Sequence, residues 1–159
     1  MLDKQLLDRM YRECLSPGES PFGLWIRALF SVVAWLGADL PFSQQKDAFL
    51  VLLERLLREG KVVLTTPPCL DETEPGYWIT SDGYSDREPP RSAERTDESE
   101  PNRFWVWDVP IERQIEYLRS AFPKDVTAAD DSELNLFWYM EECPRIGWLH
   151  PETGVLYAS

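Results

Sequence analysis

The residue types that carry most enzyme chemistry are sparse in this chain. It has one histidine, His150, and three cysteines, Cys14, Cys69 and Cys143. A histidine base needs a carboxylate to orient it and a nucleophile within reach. His150 instead opens the turn sequence His150-Pro151-Glu152-Thr153-Gly154. The cysteines are widely spaced and show no C-x-x-C or H-x-x-x-H pattern of a zinc site. An odd number of scattered thiols fits free cysteines in a reducing compartment. Carboxylates occur in adjacent pairs, Asp71/Glu72, Asp130/Asp131 and Glu141/Glu142. Such pairs are ligand types for Mg²⁺ or Ca²⁺, but none follows the D-x-[DN]-x-[DN]-G calcium loop. Neither a G-x-x-x-x-G-K-[ST] phosphate loop nor a G-x-S-x-G nucleophile elbow occurs. The residues therefore predict no catalytic centre, no cofactor and no bound metal, and recognition is the chemistry that remains.

For recognition, the distribution of charge matters more than its total. The formal charge of −12 over 159 residues is held by two segments. Residues 1–70 are neutral, with eight acids and eight bases; residues 71–100 carry −7 and residues 125–142 carry −6. Fields concentrated in this way draw cationic partners and repel phosphate backbones, which predicts a basic protein partner and no nucleic acid. Aromatic residues accompany the acids. Tyr77, Trp78 and Tyr84 flank the first acidic segment, and Tyr139 adjoins Glu141 and Glu142. Rings supply contact area while acids select the partner. The candidate partner-binding residues are Asp71, Glu72, Glu74, Tyr77, Trp78, Asp82 and Tyr84, together with Asp130, Asp131, Glu133, Glu141 and Glu142. Trp25, Phe30, Trp35, Phe49, Trp105, Phe137 and Trp148 lie within apolar runs and read as core.

The elements that must position these residues follow from periodicity. Leu2, Leu6, Leu7, Met10, Tyr11 and Cys14 recur at helical spacing, predicting a helix over 2–14. Phe22–Ala38 reads as a central, nearly all-apolar helix ending near Gly37. At 17 residues and with Arg27 inside it, this run falls short of the ~20 that span a bilayer. A third helix is expected from a Ser43 cap to Gly60, with Phe49, Leu52, Leu53, Leu56 and Leu57 on one face. Residues 61–66, 76–80 and 104–107 read as strands. Asp108 precedes a helix with Pro110 in its first turn and Ile111, Ile115, Leu118 and Phe122 inward.

Residues 130–142 fit a helix with Leu134, Phe137, Trp138 and Met140 inward, although Leu136–Met140 also suits a buried strand. Residues 146–149 and 155–157 flank the His150–Gly154 turn as a β-hairpin. Ser81 to Asn102 has too little apolar surface to offset the entropy of ordering, and reads as a mobile acidic loop over 81–102. The expected fold is a single α+β domain over 1–159: a helical N-terminal half packed on a small antiparallel sheet with a C-terminal hairpin. The opening residues lack the apolar stretch and cleavage site of a secretory signal, which predicts a cytoplasmic protein with no membrane segment.

Three stretches carry a likeness to a known family. Trp107-Asp108-Val109-Pro110-Ile111-Glu112-Arg113-Gln114, Leu118-Arg119-Ser120-Ala121-Phe122-Pro123 and Cys143-Pro144-Arg145-Ile146-Gly147-Trp148 resemble a bacterial family of small uncharacterised cytoplasmic proteins. The 52–61 helix-to-strand junction is similar as well. Members of that family are encoded beside polymorphic toxins and are thought to act as immunity proteins. The likeness spans residues 45–66 and 104–159 and leaves out the acidic loop. It implies a non-enzymatic protein that neutralises a cognate toxin domain, and it supplies no catalytic residues. The competing readings are an enzyme with a carboxylate-based divalent-metal site and a homodimer formed through Trp and Tyr side chains.

Overall fold

The computed structural model describes residues 2–15, 26–70, 74–80, 85–86, 103–149 and 156–158. Helix α1 (Lys4–Cys14) is capped by Asp3, whose carboxylate accepts from the Gln5 N–H at 3.0 Å. It buries Met10 and Cys14 against α2 (Ile26–Leu36) and α3 (Phe42–Arg58). Within α2 only the stripe Ile26, Leu29, Phe30 and Val33 is buried. Trp35 lies off that stripe and is 68% exposed, so it is not a core residue. The apolar run is therefore one-faced in the fold and not central on all sides. Residues 22–25 and the Trp25 side chain lie outside the described residues.

Helix α3 begins two residues earlier than a Ser43 cap would place it. Pro41 occupies the cap, and its carbonyl accepts from the Gln44 and Gln45 N–H groups at 3.0 and 3.1 Å. Buried Gln45 donates through Nε2 to the Gly37 carbonyl at 2.9 Å, closing the α2–α3 turn. At the far end, Gly60 ends the helix at φ +69°, the left-handed conformation that glycine adopts without a Cβ penalty. Arg55 and Arg58 occupy the last turn.

The fold is α+β, with two small antiparallel sheets where one was expected. The first has the order β1-β5-β6: β1 (Val62–Leu64), β5 (Ile146–Leu149) and β6 (Leu156–Ala158). Val62 lies opposite Trp148, and Trp148 opposite Tyr157. The hairpin is thus present with its second strand one residue later than expected. His150 and Gly154 lie outside the described residues. The second sheet has the order β3-β2-β4: β2 (Gly76–Thr80), β3 (Ser85–Asp86) and β4 (Arg103–Trp107). Two residues of the expected 81–102 loop thus pair as a strand, and the rest lies outside the described residues. Thr65 forms a single bridge to Val106 that joins the two sheets.

Helix α4 (Ile111–Ala121) starts after Pro110, which takes the cap and not the first turn. Gln114, also buried, ties α4 to β4 by donating to the Trp107 and Val109 carbonyls at 3.3 and 3.0 Å. Helix α5 (Ser132–Phe137) is short. Between them these elements enclose an aromatic core. Phe30, Phe49, Phe122, Phe137 and Trp138 stack in tilted and edge-on pairs with centroids 5.2 to 6.2 Å apart. Charged residues of the helical half are paired across elements. Arg55 reaches Asp8 of α1 at 2.9 Å, Arg58 reaches Glu112 of α4 at 2.7 Å, and Arg119 of α4 reaches Asp47 at 3.2 Å.

Candidate functional site

Leu136, Tyr139 and Met140, three large apolar side chains that the fold leaves exposed, lie where α4 ends and α5 runs past it. Phe122 leaves helical geometry at ψ 139° and Pro123 stops α4. The chain then turns through Val126, which is buried, to Asp131. Asp131 caps α5 by accepting from the Glu133 N–H at 2.8 Å. Past Phe137 the chain continues in tight turns, with Tyr139 N–H to the Leu136 carbonyl at 3.0 Å and Met140 N–H to the Phe137 carbonyl at 3.1 Å. The 130–142 segment is therefore a helix, but one of six residues closed by turns.

Its inward face is Leu134, Phe137 and Trp138. Met140, expected on that face, is 51% exposed, and Leu136 beside it is 62% exposed. An outward stripe of Glu133, Leu136 and Met140 runs from α5 into the turns that follow it. It forms one wall of a groove of about 370 Å³, with Ala121 and Pro123 opposite and Glu142 at its end.

The rim is fixed from behind. Tyr117 of α4 donates its hydroxyl to the Glu142 carbonyl at 2.7 Å, and its oxygen lies 3.4 Å from the Cys69 sulfur. Cys69 in turn donates its N–H to the Glu141 carbonyl at 3.1 Å. Burial first, then the Cys69 contact, pushes the Tyr117 hydroxyl above its ordinary value, which keeps it protonated and donating. On the other side Arg27 of α2 donates to the Tyr139 hydroxyl at 2.8 Å.

The charged residues that line the groove, Glu133 and Glu142, are both acidic. Residues 125–142 hold six carboxylates and no base. Among the described residues, Asp125, Asp130, Glu133, Glu141 and Glu142 form no ion pair. This contrasts with the cross-paired helical half.

The expected partner-binding residues separate accordingly. Glu133 and Glu142 line the groove, Glu141 adjoins Glu142, Asp131 caps its wall, and Asp130 is exposed beside that cap. Glu74 does not belong to a free acidic surface: its side chain is 7% exposed and pairs with Arg113. Tyr77 is half-buried and packs on Val106. Trp78 sits in β2 with Asp86 and Trp105 as its register partners. Asp71, Glu72, Asp82 and Tyr84 lie outside the described residues.

Sequence reasoning missed the apolar half of the groove, namely Ala121, Pro123, Leu136 and Met140. The signal was present in the stripe beginning at Glu133, but Met140 was placed with the core. Among the described residues no three His, Cys, Asp or Glu side chains gather as metal ligands. No described helix is long and apolar enough to cross a membrane. Cys14 and Cys143 are buried, and burial pushes both thiols up to about 12, leaving them protonated and inert. Compared with known proteins, the chain matches no family model, no curated protein and no solved structure.

Proposed function

We propose that this chain is a non-enzymatic binding protein that takes a basic protein partner at the groove between α4 and α5. The partner class is a bacterial toxin domain, which the chain neutralises in the cytoplasm by covering its working face. The observation that carries the binding reading is the groove itself, an apolar cleft of about 370 Å³ with exposed Leu136 and Met140 and carboxylates at its rim. Exposed apolar surface bordered by polar groups is a common mark of an interaction site. Unpaired carboxylates around it speed the approach of a cationic partner and reject like-charged ones. The toxin class rests on the family likeness of the 107–114, 118–123 and 143–148 stretches.

The test is co-expression with the product of the gene adjacent to this chain's own. The expected result is relief of growth arrest and co-elution of the two proteins. Reversing Glu133, Glu141 and Glu142 to Lys together slows association and flattens its dependence on salt. The absence of both rescue and co-elution would overturn the reading.

A further inference from the structure

The shape of the groove says more about its occupant than that it is basic. One side is the end of α4 with Pro123 after it, and the other is α5 with the turns that follow it. Among the described residues no strand borders the groove, and none there offers a row of unpaired backbone groups to a peptide bound in extended form. An occupant must satisfy its own backbone, which a helix does. The exposed stripe starts with Glu133 and Leu136 on α5 and ends at Met140 in the turns that follow it. Its apolar members Leu136 and Met140 stand at i and i+4. Glu133 lies at one end of the stripe and Glu142 beyond the other, and none of the described lining residues is cationic.

The groove is also preformed. Phe137, its floor, stacks on Phe122 and Trp138 at 5.2 Å each, and the rim is held by Asp131 and Tyr117. A wall that does not have to order on binding favours affinity.

Resting on the binding reading above, we infer that the occupant is an amphipathic helix of the partner. It presents two large apolar side chains one turn apart, with a Lys or Arg about one turn beyond each. The apolar pair fills the space over Phe137 between Leu136, Met140 and Pro123. The two cations meet Glu133 and Glu142.

The probe is a fluorescein-labelled 16-residue helical peptide with Leu at two positions four apart, Lys flanking the pair and Ala elsewhere. Its control is the same composition scrambled so that the Leu and Lys residues do not share a face. Fluorescence anisotropy should show the scrambled peptide binding at least tenfold more weakly. The double variant Leu136→Ser/Met140→Ser should weaken the ordered peptide at least tenfold. Both positions are exposed, so its thermal midpoint should match the parent's. Glu133→Gln/Glu142→Gln should weaken binding and reduce its salt dependence.

Equal binding of the two peptides, or no loss in the Ser variant, would mean charge attraction alone and overturn the inference. So would a homodimer in sedimentation that the Ser variant dissolves, since the occupant would then be a second copy. With the toxin partner, a complex unaffected by the Ser variant but broken by the triple Lys reversal sinks the helix inference and leaves the binding reading standing. Absence of any such complex sinks the binding reading instead.

Discussion

Cys69, Tyr117 and Glu142 come from three separate stretches of chain, and their contacts fix the rim of the groove. Tyr117→Phe removes the donor to the Glu142 carbonyl and should cost ~0.5–1.5 kcal/mol, the usual net worth of such a bond. Urea denaturation reads this loss, and a variant as stable as the parent would mean the rim is held otherwise. The three thiols are distinguished by burial. Cys14 is fully buried and Cys143 is 4% exposed, while Cys69 is exposed. A disulfide reagent such as Ellman's should therefore find one fast thiol in the folded chain and three after denaturation. Cys69→Ser should abolish the fast one. At this scale the sequence was informative about the thiols, whose odd number and wide spacing read as free. It was silent about Cys69, because its contacts with Tyr117 and Glu141 join residues far apart in the chain.

At the scale of elements, α5 is the piece on which the groove depends, and at six residues it is too short to hold itself together. Its stability comes from Leu134 and Phe137 in the core and from the Asp131 cap. Asp131→Ala should cost ~1 kcal/mol in denaturation. The same substitution should weaken binding of the ordered Leu/Lys peptide, because the helix carrying Leu136 loosens. Unchanged affinity with reduced stability would separate the cap from the site.

Periodicity made most elements legible. The helices over 4–14, 42–58 and 111–121 and the strands at 76–80 and 103–107 lie close to where apolar spacing and β-branched or aromatic runs put them. Boundaries went astray where a proline competes with a side-chain cap, at Pro41 against Ser43 and at the Pro110 helix start. Faces went astray where nearly every residue is apolar. Composition cannot say that Trp35 and Met140 point outward while Phe30 and Trp138 point inward, because only packing partners decide that.

For the whole molecule, the contrast between a cross-paired helical half and an unpaired acidic segment governs behaviour with pH. Hydrogen bonding to Arg58 holds the Glu112 carboxyl below its ordinary value. A depressed folded value means this pair supports the fold above the unfolded carboxylate range, near ~4.3, and the support is lost as pH falls through the lower folded value. Denaturation midpoints measured from pH 7 to about pH 3 should fall, and Glu112→Gln should flatten that fall. Stability rising on acidification would show that repulsion within 125–142 dominates instead.

The pairing of two sheets was not legible, since nothing local indicates that β1 joins β5 while β2 joins β4. That register has a kinetic consequence. Val62 meets Trp148 across more than half of the chain, whereas α1, α2 and α3 pack on near neighbours in sequence. Non-local pairings form against a larger loop-closure entropy, so the three helices should collapse first and the β1–β5 ladder should complete late. Because that entropy grows only with the logarithm of loop length, segments inserted between β1 and β5 away from these contacts cost little stability. Each doubling of the closed loop adds only ~0.6 kcal/mol. The long closure leaves evolution free to lengthen or shorten the acidic stretch before β4 while the helical groove stays as it is.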